Sequence, residues 1–222
     1  MLHTIGRTVL AQLQNLLHGF LQDGTSPFGS VLTVQEILDL IRQECVETRA
    51  RLFTPLVTLC PFLSQIHSDA PSCRAAVARL NALRVAQGVA PGSPLTGGYC
   101  KARYRLPESL LQRLLGLSSQ RLLQQVPTTW AWHGRAVKIV DGSAVSMPDT
   151  EANQQAYPQP GSQAPGLGFP VARIVVVLSL ACGAVCGAAL GPLNPSLKII
   201  VHALWDRMER QRVTRWSFDA CI

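Results

Sequence analysis

Residues 137–150 read VKIVDGSAVSMPDT. An apolar run leads into Asp141 and then into small and polar residues, the pattern of a short strand giving way to a loop. The spacing predicts a strand that ends on Asp141, and a carboxylate at the end of a buried strand needs a partner, because an unpaired buried charge is costly. A strand end fixes the Cα and lets the carboxylate project from the sheet, which suits Mg²⁺ (or Mn²⁺). Such an ion takes one or two protein carboxylates and completes its shell with water and substrate phosphate. The plainer alternative for Asp-Gly-Ser is a turn or a cap. A metal role calls for a second carboxylate from a later strand, and Asp219, closing the strand-like RWSFDA, is the candidate. Asp149 follows Pro148 and reads as a turn residue.

Outward from this stretch, WAW and AVKIV flank His133-Gly134, a two-residue turn consistent with a hairpin. Downstream, the loop YPQPGSQAPGLGFP precedes an uncharged run from Ile174 to Leu197. Its apolar core, IVVVLSLACGAVCGAAL, is shorter than the roughly 20 residues of a membrane span and is broken by Gly183 and Gly187, so it predicts a buried hairpin over 171–190, with CG as its turn. The first half reads helical. Thr33 and Glu36 form a capping-box pattern ahead of VQEILDLIRQEC, a helix is expected after Pro55, and Ser72 is placed to cap CRAAVARLNALRVAQ. The loop GVAPGSPLTGG, the segment YCKARYRL and the helix PESLLQRLLG follow. Residues 1–22 read as an amphipathic helix, HALWDRMER has helical composition and VTRWSFDACI predicts a last strand. The expectation is an α+β chain, with a helical region over 1–128 followed by an α/β domain over 129–222.

The formal charge of +7 favours a polyanionic partner. Its distribution is uneven. Arg74, Arg79, Arg84, Lys101, Arg103, Arg105, Arg113 and Arg121 fall between residues 71 and 121, where Glu108 is the one acid. The first six are the candidate DNA contacts. Seven cysteines are scattered without a CxxC pair or a His cluster, which indicates neither a zinc site nor a disulfide framework and fits a reducing cytoplasm.

The stretch from VKIVDGS through PDT, NQQAYPQP and GLGFPVAR to CGAV (137–185) resembles the first catalytic segment of bacterial DDE transposases of the insertion-sequence-four family. RARLFTPLVTLCPFLSQ and GGYCKARYRLPESLL resemble the helical region ahead of it, so the likeness covers about 49–191. The resemblance implies a ribonuclease-H-like fold, here partial, with Asp141 as first catalytic acid and metal ligand and Asp219 as the match to the second. It implies two divalent ions serving DNA cleavage and strand transfer, with transposon ends as double-stranded DNA partner. A homodimer or association with a full-length relative, a nucleoid-associated cytoplasmic location and no membrane contact are the accompanying expectations. The sequence departs from the pattern after AALGP, where LNPSLKIIV replaces a glycine- and lysine-rich stretch, and Glu209 stands too early to be the third acid. The expectation is therefore a truncated transposase without activity of its own. The alternative is a non-catalytic DNA-binding protein that interferes with full-length transposase.

Overall fold

The computed structural model describes residues 31–45, 52–164, 166–193, 201, 202 and 204. The chain is α+β and divides into two compact units, Met1–Arg121 and Leu122–Ile222. The amphipathic helix expected over 1–22, the strand over 213–222 and Asp219 lie outside the described residues, as do Glu209 and most of HALWDRMER.

The first unit is helical: α1 (Val34–Glu44), α2 (Pro55–Ile66), α3 (Cys73–Ala86), α4 (Gly97–Tyr104) and α5 (Glu108–Gln124), whose last turn passes into the second unit. The helix starts follow side-chain chemistry. Thr33 accepts the Glu36 N–H while the Glu36 carboxylate accepts the Thr33 N–H, satisfying two otherwise unpaired donors. Thr54 and Ser72 cap α2 and α3 by the first of these bonds alone, accepting from Val57 and Ala75. The core gathers Ile37, Leu40, Leu56, Leu59, Leu80 and Leu110, all buried. A smaller cluster joins Ala76 and Val77 to Tyr99, whose ring lies 5.8 Å from that of Phe53. Arg121 closes the unit by an ion pair with Glu36, and Arg113 pairs with Glu44 at 2.6 Å.

The second unit begins inside α5, seven residues before the boundary expected from the sequence, because Leu123 packs with the sheet's apolar cluster. A 3-10 turn (Thr128–Trp130) leads to His133 and Gly134, with φ of 47° and 74°, as a primed two-residue turn requires. Trp132 and Arg135 bridge across it. The hairpin arms are shorter than expected: the bridge is isolated, and the next strand, β1, runs from Lys138 to Ser146. α6 (Glu151–Ala156), capped by Thr150, occupies a segment to which the sequence pattern assigns no element. β2 (Val171–Ser179) and β3 (Val185–Pro192) form the expected hairpin, turning through Gly183 at φ 67°. The sheet is antiparallel, in the order β1-β2-β3. Val175, Val177 and Cys186 are buried on one face together with Leu204, with Leu123 and Val201 packed against them. Among the described residues no helix is long and apolar enough to cross a membrane.

The Glu36 contacts set a pH dependence. The hydrogen bonds from the Thr33 backbone, then from Arg121 and the Thr33 side chain, hold the Glu36 carboxyl down at about 2, below its ordinary 4.5. A depressed folded-state pKa contributes stability that is fully present above the unfolded value and lost as pH falls through the folded one. Glu36→Gln should lower the urea midpoint at neutral pH by an amount equivalent to about 1 kcal/mol, as expected for a half-exposed cap and ion pair. The gap from the parent chain should narrow between pH 4.5 and 2. A gap constant across that range would refute the assignment.

Candidate functional site

Asp141 is the fourth residue of β1, not its last, which corrects the sequence expectation. Gly142, Ser143 and Ala144 are indifferent strand formers, but they pair in register with Val175, Ile174 and Arg173 of β2, and that pairing overrides their propensity. Asp141 is also exposed, so the burial that seemed to demand a counter-charge does not exist. One of its oxygens, Oδ1, accepts the Gly142 N–H at 2.8 Å. It stands opposite Val176, on the sheet face turned away from the Val175 and Val177 cluster. An accessible carboxylate of this kind suits one ligand position of a hard cation. Among the described residues no group of three His, Cys, Asp or Glu side chains converges to hold a metal, and Asp219, the expected second ligand, is outside them.

The loop beside β1 is organised by amides. Gln154 Nε2 donates to Asp149 Oδ1 at 2.9 Å and to the Gly168 carbonyl at 3.1 Å. Gln159 Oε1 accepts the N–H groups of Gly166 and Gly168, and its Nε2 donates to the carbonyls of Gln163 and Ala164. Gly168 has no room for a side chain, since a Cβ would stand 3.0 Å from that of Gln159. The glutamines within NQQAYPQP therefore shape the GLG segment, and Val171 enters β2 by donating to the Tyr157 carbonyl at 3.2 Å.

The basic candidates separate into two groups. Arg84 donates through Nε and Nη2 to the Ala90 carbonyl, at 3.1 and 3.0 Å, and pins the loop after α3. Arg103 donates to Cys73 Sγ at 3.3 Å, and its guanidinium lies 5.0 Å from the Phe62 ring centre and 5.7 Å from that of Tyr99. Arg79 donates to Ser68 at 2.7 Å, while its Nε and Nη2 are buried without an acceptor. Arg74, Lys101 and Arg105 are exposed, with no ion pair among the described residues. Tyr104, between Arg103 and Arg105, is 93% exposed and borders a pocket of about 330 Å³ lined by Phe62, Cys100, Arg103, Leu106 and Leu111. Counting charges along the sequence passes over Tyr104; the alternation of cations with an aromatic in KARYR is the signal that points to it.

The six described cysteines are free thiols. Burial pushes the Cys60 thiol up to about 12, so it is chemically silent. No family model matches the chain, and no curated protein or solved structure matches it either.

Gln159→Ala should release the loop without unfolding the sheet. Losing its bonds to Gly166 and Gly168 removes on the order of 1 kcal/mol apiece. Chymotrypsin should then cut after the exposed Leu167 at least about tenfold faster, with an unchanged circular dichroism spectrum. Equal cleavage rates would mean that Gln159 does not hold this loop.

Proposed function

We propose that this chain is a DNA-binding protein of the DDE transposase type. Its helical unit contacts duplex phosphates, and Asp141, on a ribonuclease-H-like sheet, is a metal ligand for phosphodiester cleavage and strand transfer. The observation that carries the DNA reading is the set of exposed cations Arg74, Lys101 and Arg105, unpaired among the described residues, the last two flanking the exposed Tyr104. Cations without a carboxylate partner keep their full attraction for phosphate, and binding releases the counterions condensed on DNA. Arg84 and Arg103, engaged within the fold, contribute positive field but no extended side chain. Tyr104 offers an aromatic face to a sugar or an unstacked base.

Asp141 supports the catalytic part of the reading as one exposed carboxylate on the open face of the sheet, with Asp219 proposed as the second. Divalent ions held there would supply activation of water or a DNA 3′-hydroxyl and stabilise the leaving oxygen. The contribution of this chain's own residues is to present a carboxylate whose strand is fixed by β2, and, in the helical unit, to bind DNA through exposed cations. The competing reading, DNA binding without cleavage, is favoured by the engagement of Asp141 Oδ1 with its own neighbour's N–H, which leaves a single oxygen unoccupied.

Anisotropy titrations of a duplex across a range of salt test the first part. Replacing Arg74, Lys101 and Arg105 together by alanine should reduce the slope of log K against log[salt] by about 0.9 for each phosphate that is no longer neutralised. Arg84→Ala should leave the slope as it is. Binding without salt dependence, or a slope unmoved by the triple change, would rule out phosphate binding at these positions. For the second part, Asp141→Asn should weaken Mn²⁺ binding, read by calorimetry, at least about tenfold while leaving DNA affinity in metal-free buffer intact. Equal Mn²⁺ affinity would leave DNA binding without cleavage as the surviving reading.

A further inference from the structure

Cys73 is the first residue of α3, half-buried against the cluster that joins Ala76 and Val77 to Tyr99. Its sulfur accepts from two side chains. Arg103 Nη1 donates to it at 3.3 Å from α4, and Gln65 Nε2 donates to it at 3.8 Å from α2. Gln65 is itself held, because its Nε2 also donates to the Pro71 carbonyl at 2.6 Å and its Oε1 accepts the Tyr99 hydroxyl at 2.8 Å. Arg103 is held in turn by its contacts with the Phe62 and Tyr99 rings. A sulfur is thus placed against a fixed guanidinium at the meeting of three helices.

A second sulfur stands beside it. Cys100, on α4, is exposed, lines the pocket bordered by Phe62, Arg103 and Tyr104, and is hydrogen-bonded to Cys73. Desolvation of its sulfur, and then this bond, push the Cys100 thiol up, so Cys100 keeps its proton and is the donor of the pair. A partly exposed sulfur in an electropositive setting is where thiol chemistry occurs. An oxidisable sulfur with a second thiol in contact is the arrangement that converts a sulfenic acid to a disulfide. Cys60, in the same unit, has neither property, being buried and silent.

We propose that Cys73 and Cys100 are a modification site, a thiol pair that a hydroperoxide oxidises to a disulfide joining α3 to α4. The Cys73 sulfur, having lost its proton, attacks the terminal oxygen of the hydroperoxide. The O–O bond breaks, the remaining oxygen leaves with that proton as an alcohol (water, for hydrogen peroxide), and Cys73 becomes a sulfenic acid. The Cys100 sulfur then attacks the Cys73 sulfur, the S–O bond breaks, and the departing hydroxide takes the Cys100 proton to leave as water. Two thiols are oxidised by one electron each and the peroxide is reduced by two. A small-molecule dithiol reverses the bridge by thiol–disulfide exchange. Closing it ends the acceptor role of Cys73 toward Cys100, while Arg103 keeps its aromatic contacts.

Mass spectrometry of the full chain, reduced, desalted and treated with dilute hydrogen peroxide, tests this. The product should be a single chain lighter by two hydrogen atoms, and dithiothreitol should restore the parent mass. Trypsin should yield peptide 52–74 joined to peptide 85–101, with fragmentation placing the bridge on Cys73 rather than Cys60. Cys73→Ser and Cys100→Ser should each abolish that product with an unchanged circular dichroism spectrum. Cys100→Ser should also arrest the reaction at its first step, so that dimedone labels Cys73. In Cys73→Ser, labelling of Cys100 should be at least about tenfold lower than that. A parent chain that gains oxygen without losing two hydrogens would overturn the proposal, as would a bridge to any other cysteine. Dimedone labelling of Cys100 equal to that of Cys73 would overturn the assigned order of attack. None of these readouts uses DNA or metal, so the outcome is independent of the proposed function.

Discussion

The sheet depends on β2. It has a neighbour on each side, and its run Ile174–Val177 is β-branched throughout, with Val175 and Val177 buried. β1 has no comparable resource. Its middle, Asp141 to Ala144, contains a glycine, a serine and an alanine and would not stay extended on intrinsic preference. It is extended because each of its residues is matched to one of β2. The position of Asp141 is thus a property of β2's packing, transmitted through backbone bonds.

In the helical unit, the same arithmetic of partners decides what the positive charge can do. Arg113 and Arg121 are paired with glutamates, Arg84 serves a loop carbonyl, and Arg103 is stacked among aromatic rings. A basic sequence window is therefore a poor measure of accessible charge. What remains to attract a polyanion is a smaller set of side chains whose contribution depends on exposure, and exposure follows from which helix face each residue occupies. Lys101 and Arg105 stand one helical turn apart, and Tyr104, exposed, lies between them in the sequence.

Much of the fold was legible because its signals are local. Thr33 with Glu36, Thr54 ahead of Pro55 and Ser72 all begin helices where capping chemistry says they should. His133-Gly134 and Gly183 mark turns by the backbone conformations they permit. The continuation of β1 past Asp141 was not legible, because it rests on cross-strand register and no feature of DGSA announces it. α6 was hidden for a related reason: six residues in a proline- and glycine-rich neighbourhood leave too short a period to read. Of the candidate site, the residue types could be read from the sequence. Which arginines were free could not, since the engagement of Arg79 with Ser68, of Arg84 with Ala90 and of Arg103 with the Phe62 ring of α2 carries no sequence signature.

Arg79 stands apart from this pattern of satisfied partners. Its guanidinium gives one hydrogen bond to Ser68 and keeps two nitrogens enclosed without an acceptor. Natural sequences are mostly free of such internal conflict, and each enclosed donor without a partner costs on the order of 1–3 kcal/mol. A methionine, the apolar residue nearest to it in length, would occupy part of the space beside α3 with no buried donor. The position is thus a point of local frustration, where the residue present is not the one that packing alone would choose. The helical unit folds in spite of Arg79, on the strength of a core that gathers Leu56, Leu59, Leu80 and Leu110, and carries there a margin of stability that substitution can recover.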